Sequence, residues 1–146
     1  MKGVYGFLIK PKGDRYNNTV DIDDKKLIVN TEIYNHQYVN REAIVLSAPK
    51  INNTDIKEGD TILVHHNVFR RWHNVKKIEK NSRSYFKEGQ YIVSEDQIFL
   101  YKTNEKWKPL PGYCFVQPIK AVDKFNIESE KPLVGIVRYS DGIVDV

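Results

Sequence analysis

The sequence predicts an all-β protein, organised as a small, partly open β-barrel with a C-terminal β extension. Two stretches carry this prediction, residues 56–64 and 88–100, because each joins a glycine turn to a short apolar run. Small all-β barrels separate their strands with turns of this kind. The composition agrees, since nine tyrosines, six phenylalanines and many Val and Ile residues favour strands over helices.

The first half of the chain predicts three strands separated by loops. Residues 4–9 read as the first strand. Residues 12–30 are polar up to the apolar tripeptide Leu27-Ile28-Val29 and show no apolar period before it, so we expect a mobile loop. Alternating apolar residues over 42–46 and 61–64 predict the next two strands.

The second half predicts short β elements and then a domain boundary. Two prolines near the end of residues 102–111 indicate a linker. We therefore expect a barrel over residues 1–101 and a C-terminal β extension over 112–146, packed on the barrel or on a neighbouring subunit. The short β elements before the linker are 85–86, 90–93 and 97–101.

Length and charge narrow the class of protein. The 146 residues suffice for one domain with a substantial core. The net charge is +4, but Lys alternates with Asp and Glu, which indicates a solvated mixed surface and argues against nucleic acid as a partner. The single cysteine, Cys114, excludes an internal disulfide. No apolar run approaches the roughly 18 residues of a membrane span, and the first residues lack the shape of a secretory signal, so we expect a cytoplasmic protein.

The order of four segments resembles the chaperonin-10 (GroES-like) co-chaperonin family. In that family a Val-Gly-Asp turn opens the central strands, and a segment containing Glu-x-Asp-Ile closes the barrel. The resemblance covers residues 4–101 and implies a GroES-like barrel with a mobile loop over 12–30. Its segments are Phe7-Leu8-Ile9-Lys10, Arg41-Glu42-Ala43-Ile44-Val45-Leu46, Glu58-Gly59-Asp60-Thr61-Ile62-Leu63-Val64 and residues 90–100.

The resemblance also implies a partner. In the family an apolar tripeptide on the mobile loop docks on the chaperonin large-subunit ring, and a heptamer of the small subunit caps the cavity. Leu27, Ile28 and Val29 hold the matching place, while Gly135-Ile136-Val137 is a rival tripeptide and residues 27–29 also fit an ordinary barrel strand. A disordered tether keeps each contact weak and reversible, and several linked copies act together through their effective concentration.

Two other functions also fit the sequence. The Asn-, Lys- and Tyr-rich composition and the roughly 45 residues beyond the family's barrel suit a bacteriophage structural or assembly protein built on the same barrel. The run Phe69-Arg70-Arg71-Trp72 mixes cations with aromatics, as an OB-like nucleic-acid-binding barrel would. Because Trp and Arg are also enriched at subunit interfaces, we assign Phe69, Arg71 and Trp72 to an oligomer interface anchored by Trp72.

The sequence gives no support for an enzyme, a metal site or a cofactor. Of the four histidines, His65 and His66 would point to opposite faces of a strand, and no acidic or cysteine cluster stands at ligand spacing. A glycine-rich phosphate loop, a Ser-His-Asp order and paired carboxylates are also missing from the sequence. We therefore expect no catalytic residue.

Overall fold

The computed structural model of the protein describes residues 2–17, 19–28, 36–122 and 128–142, and it confirms the all-β class. The only helices in these ranges are two 3-10 turns, His36–Tyr38 and Glu95–Gln97. The strands are β1 (Phe7–Pro11), β2 (Thr19–Ile22), β3 (Lys25–Ile28), β4 (Glu42–Ser47), β5 (Thr61–Val64), β6 (Arg71–His73), β7 (Glu79–Asn81), β8 (Tyr85–Lys87), β9 (Gln90–Val93), β10 (Ile98–Thr103), β11 (Lys106–Pro109), β12 (Cys114–Val122) and β13 (Glu128–Ser140).

Seven strands form one antiparallel sheet in the order β11-β10-β5-β4-β1-β9-β8. Strands β9 and β10 stand four places apart in this order, which corresponds to about 19 Å in a flat sheet. Only residues 94–97 connect them, and three of these form a compact 3-10 turn. The sheet must therefore curl strongly. It stays open among the described residues, because no hydrogen-bonded ladder joins its two ends.

The concave face of the curled sheet holds the core. In β4 and β5 the side chains alternate between buried and half-exposed, as expected for strands with one face inward. Val68 and Phe69, which follow β5 in the chain, are also fully buried and add to the same core. The largest fully buried side chains are Tyr91, Phe7, Phe69, Ile9, Ile56, Ile62, Ile98, Val45, Val64, Val68 and Val93.

Three antiparallel pairs form separate two-stranded sheets. They are the β2–β3 hairpin, the β6–β7 hairpin and a longer pair of strands, β12 and β13, which we call the C-terminal ribbon. Isolated hairpins are at best marginally stable in water, so each of them needs support from the barrel or from a partner.

Most of residues 102–111 lie in paired strands, whereas the prolines suggested a linker there. Lys102 and Thr103 belong to β10, and β11 pairs with β10 to add an edge strand to the main sheet. The turn between these strands places Asn104 and Glu105 at φ 50° and 64°, the left-handed backbone of a two-residue hairpin loop. The C-terminal ribbon follows directly, and β13 lies beside β11.

Candidate partner-binding surfaces

The β2–β3 hairpin exposes apolar side chains away from the core. Its turn residues, Asp23 and Asp24, have φ values of 47° and 63°, which suit a tight two-residue turn. Val20 pairs with Leu27 and Ile22 with Lys25, so Ile22 and Leu27 fall on the same face. Ile22 is half exposed and Leu27 is 52% exposed. Ile22 and Leu27 therefore present apolar surface to solvent.

Only part of the predicted docking tripeptide can be placed. Leu27 lies on the exposed face of the hairpin, and Ile28 ends β3 opposite Thr19. Val29 lies outside the described residues. In the rival tripeptide, Ile136 is exposed, whereas Gly135 and Val137 are half-buried in the C-terminal ribbon.

The segment that leads into the β2–β3 hairpin is fixed to the barrel. We expected a mobile loop from residue 12, but Tyr16 is buried and forms a β-bridge with Val39. The Asn17 N–H donates to the Tyr38 carbonyl at 2.6 Å, and the Asn40 N–H donates to the Arg15 carbonyl at 2.8 Å. The hairpin thus rises from a rigid root.

The buried Asn40 side chain completes this root. Its Nδ2 donates to the carbonyls of Lys12 at 3.0 Å and Asp14 at 2.9 Å, and its Oδ1 accepts the Glu42 N–H at 3.0 Å. All three hydrogen bonds go to the main chain, and Asn40 is only 3% exposed. One side chain therefore ties the incoming segment to the start of β4.

Arg15 joins the same root to the segment around Phe69. Its Nε donates to the Phe69 carbonyl at 3.1 Å, its Nη2 to the Arg70 carbonyl at 3.4 Å and its Nη1 to Asn81 Oδ1 at 2.9 Å. The guanidinium also lies over the Tyr91 ring, 5.5 Å from its centroid. These partners are far apart in sequence, so no local pattern could have revealed the contact.

A groove of about 440 Å³ runs beside this contact. It is lined by Arg15, Tyr16, Arg71, Glu88 and Tyr91, among others. Burial raises the pKa of the Tyr91 hydroxyl, and the neighbouring Arg15 guanidinium acts in the opposite sense. The phenol therefore stays protonated at neutral pH.

The predicted oligomer interface is split by the fold. Phe69 is fully buried, and its ring packs edge-on against Tyr91 with centroids 4.9 Å apart. The Arg71 guanidinium forms an ion pair with Glu79 at 3.0 Å and lies over the Tyr16 ring. Phe69 therefore serves the core and Arg71 the base of the β6–β7 hairpin. The run of arginines and aromatic residues suggested an exposed interface, but the chain turns inward after β5 and buries Phe69.

Trp72 remains on the surface, where it lines a second groove. It is 42% exposed, and its indole N–H donates to the Asn81 carbonyl at 3.2 Å. The groove measures about 370 Å³ and also holds Arg70 and Arg83. Cations beside an exposed aromatic ring suit either a subunit contact or a single-stranded nucleic acid. Trp72 is thus the one member of the predicted interface that offers an exposed aromatic surface.

Two further apolar surfaces lie outside the β2–β3 hairpin and the Trp72 groove. The C-terminal ribbon exposes Val116, Val134, Ile136 and Tyr139. The second surface, which we call the N-terminal patch, consists of Val4, Tyr5, Ile51 and Ile92. Within the sequence, only Val4 and Tyr5 of this patch are neighbours, and both fall in the strand predicted over residues 4–9.

The histidines and carboxylates form no metal site in the part of the chain that the structure describes. His65 and His66 lie just after β5 rather than on opposite faces of a strand, and their rings stack with centroids 4.2 Å apart. His65 Nδ1 accepts the Asn67 N–H at 3.1 Å, so it closes a local turn. Across residues 2–17, 19–28, 36–122 and 128–142, no helix has the length and hydrophobicity needed to cross a membrane.

Comparisons of the chain with protein-family models, with curated proteins and with solved structures give no match.

Proposed function

We propose that the protein is a co-chaperonin-like subunit that caps a chaperonin and assists protein folding. It assembles into a homo-oligomeric ring, heptameric by its resemblance to GroES-like proteins, and docks on the chaperonin large-subunit ring through apolar residues of the β2–β3 hairpin. It acts in the cytoplasm of a bacterial or phage-infected cell. In this role it needs no catalytic residue and no cofactor, because the chemistry takes place in the chaperonin.

The observation that carries the proposal is the exposed apolar face of the β2–β3 hairpin above a rigid root. Ile22 and Leu27 are about half exposed, and among the described residues the hairpin forms a two-stranded sheet of its own. Burying the exposed half of one leucine contributes only about 1 kcal/mol. Such a contact is weak alone, but several copies on a ring bind together through their effective concentration. Several weak contacts suit a cap that must also dissociate from the chaperonin ring.

Native mass measurement with and without a chaperonin ring tests the proposal. We expect a cap-sized mass shift that Leu27→Ser abolishes, and we expect added chaperonin to suppress proteolysis at Lys25, beside the hairpin turn. Val75→Ser is the matched control, because Val75 is fully exposed at the tip of the other hairpin. Absence of any mass shift, or equal binding by the two variants, would reject the proposed docking site.

The alternative is a phage-type structural or assembly protein that uses the same barrel for contacts between subunits. The exposed ribbon and the N-terminal patch favour it, because they supply apolar surface for self-association that does not involve the β2–β3 hairpin. A ring that forms but never binds a chaperonin would decide for this alternative.

A further inference from the structure

We propose that the Trp72 groove, the groove of about 370 Å³ beside β6, binds single-stranded nucleic acid. One base stacks on the Trp72 indole, and Arg70 and Arg83 hold the neighbouring phosphates. The inference does not rest on the proposed function, because the groove shares no residue with the β2–β3 hairpin.

The lining of the groove separates positive charge from negative charge. Across the whole chain Lys alternates with Asp and Glu, which indicates a mixed surface. The described residues that line this groove, in contrast, include Arg70 and Arg83 but no carboxylate. Glu79 of the adjacent hairpin is paired with Arg71 and points to the opposite face of β7 from Lys80. The groove therefore attracts an anion.

Both guanidinium groups of the groove are available to that anion. Neither Arg70 nor Arg83 forms an ion pair within the described ranges. Arg70 is half-buried, its Nε has no hydrogen-bond partner there, and Arg83 is exposed. The first groove differs, because its Arg15 binds main-chain carbonyls and its Arg71 binds Glu79. A guanidinium that no carboxylate occupies can bind a phosphate through two parallel hydrogen bonds.

The Trp72 indole is held in place and offers its ring to a ligand. Its N–H donates to the Asn81 carbonyl at 3.2 Å, so the one hydrogen-bond donor of the side chain is already used. The ring is still partly exposed and lines the groove. A ligand therefore meets Trp72 by stacking. Proteins that bind single strands combine such stacking with cations that contact phosphates.

Hydrogen bonds hold the walls of the groove in position. The Ser82 hydroxyl donates to the Val68 carbonyl, which joins the two segments that flank the β6–β7 hairpin. Gln97 Nε2 donates to Ser84 Oγ at 3.4 Å on the other side. The volume of about 370 Å³ falls at the low end of the range for small-molecule sites, about 300–1,000 Å³. A groove of this size suits one nucleotide unit.

Positive charge continues beyond the groove, which favours a strand over a free nucleotide. Lys80 pairs with Trp72 across the β6–β7 hairpin, so both side chains point to the same face. Lys80 is exposed. A free nucleotide would occupy the groove alone, whereas a strand would also bring a phosphate to Lys80. A duplex keeps its bases stacked on one another and would have to unstack one to reach Trp72.

Fluorescence anisotropy with a labelled oligothymidylate tests the inference in the full chain. We expect binding that weakens as the salt concentration rises. Trp72→Ala should bind at least about fivefold more weakly, because stacking of one base contributes that much, and Trp72→Phe should retain most of the affinity. Phe86→Ala is the matched control and should bind like the wild type, since Phe86 is an exposed aromatic residue outside the groove.

The salt dependence tests the two arginines separately. Each phosphate contact on a single strand contributes about 0.7 to the slope of log affinity against log salt concentration. Arg70→Gln and Arg83→Gln should each reduce the slope by about 0.7, whereas Arg41→Gln, at an exposed arginine outside the groove, should leave it unchanged. Circular dichroism checks that each variant is folded. Arg83→Gln carries the test if Trp72→Ala does not fold, because Arg83 is exposed.

Three results would overturn the inference. The first is no binding at low salt, or equal binding by the wild type and Trp72→Ala. The second is competition by duplex DNA, polyglutamate or thymidine monophosphate that matches competition by the unlabelled single strand. The third is a Trp72→Ala protein that loses an oligomer in sedimentation but keeps its affinity for oligothymidylate, which would identify a subunit contact. Leu27→Ser should leave oligothymidylate binding unchanged, so failure of the proposed cap and failure of this site are separate results.

Discussion

Replacing Asn40 by alanine should loosen the root of the β2–β3 hairpin by a measurable amount. The substitution removes three hydrogen bonds to main-chain groups, two of them to carbonyls that precede the hairpin. Each contributes about 1 kcal/mol net, and the side chain is buried, so water does not readily replace them. We expect a loss of about 3 kcal/mol in the free energy of unfolding, or roughly 10 °C in Tm.

Urea denaturation followed by tryptophan fluorescence measures this loss. Asn53→Ala is the matched control, because Asn53 is an exposed loop residue, and it should change stability by less than about 0.5 kcal/mol. Asn40→Asp gives a second check, since a carboxylate cannot donate to the Lys12 and Asp14 carbonyls. It should destabilise at least as much as alanine. A loss below about 0.5 kcal/mol for Asn40→Ala would refute the idea that this side chain fixes the root.

Two further predictions concern the barrel. Asp60→Ala should lower the free energy of unfolding by about 1–3 kcal/mol in urea denaturation. The reason is that Asp60 Oδ2 accepts hydrogen bonds from the Lys57 N–H at 2.9 Å and from the Thr103 hydroxyl at 2.8 Å. An unchanged urea midpoint would contradict a stabilising role for Asp60. Burial raises the pKa of the Tyr91 hydroxyl above its ordinary value of about 10, and the Arg15 guanidinium partly opposes this shift. The folded protein therefore holds the Tyr91 hydroxyl proton more tightly than the unfolded chain does. The corresponding stability is complete below about pH 10 and is lost as the pH rises beyond it. Tyr91→Phe should therefore show a smaller loss of unfolding free energy above about pH 10 than the wild type, and an identical loss in both proteins would refute the assignment.

Local patterns predicted the strands whose side chains alternate within the strand itself. The run over 42–46 lies within β4, and the run over 61–64 coincides with β5. Their alternation follows from one buried face, which is a property of neighbouring residues. The prolines of residues 102–111 suggested a linker, because prolines often mark chain breaks, and the structure places residues 106–109 of this stretch in β11. Pro109 is tolerated here, since it ends the edge strand β11.

The features of the candidate sites that the sequence could not reveal depend on contacts between distant residues. Arg15 reads as part of a polar loop, yet its partners are 54 to 66 positions away. Phe69 sits among arginines, and its burial follows from the path of the chain after β5. In the N-terminal patch Ile51 is hydrogen-bonded to Val4 and Ile92 lies beside Gly6, and only the folded chain brings these residues together. Composition and residue spacing do not show which distant residues come into contact.

Arg15 has a mechanical consequence for the whole molecule. Its guanidinium binds the carbonyls of Phe69 and Arg70, just ahead of β6, and the side chain of Asn81 at the end of β7. A force on the β2–β3 hairpin should therefore reach the base of the β6–β7 hairpin and the buried Phe69. One arginine side chain thus links the segments from which the two hairpins extend.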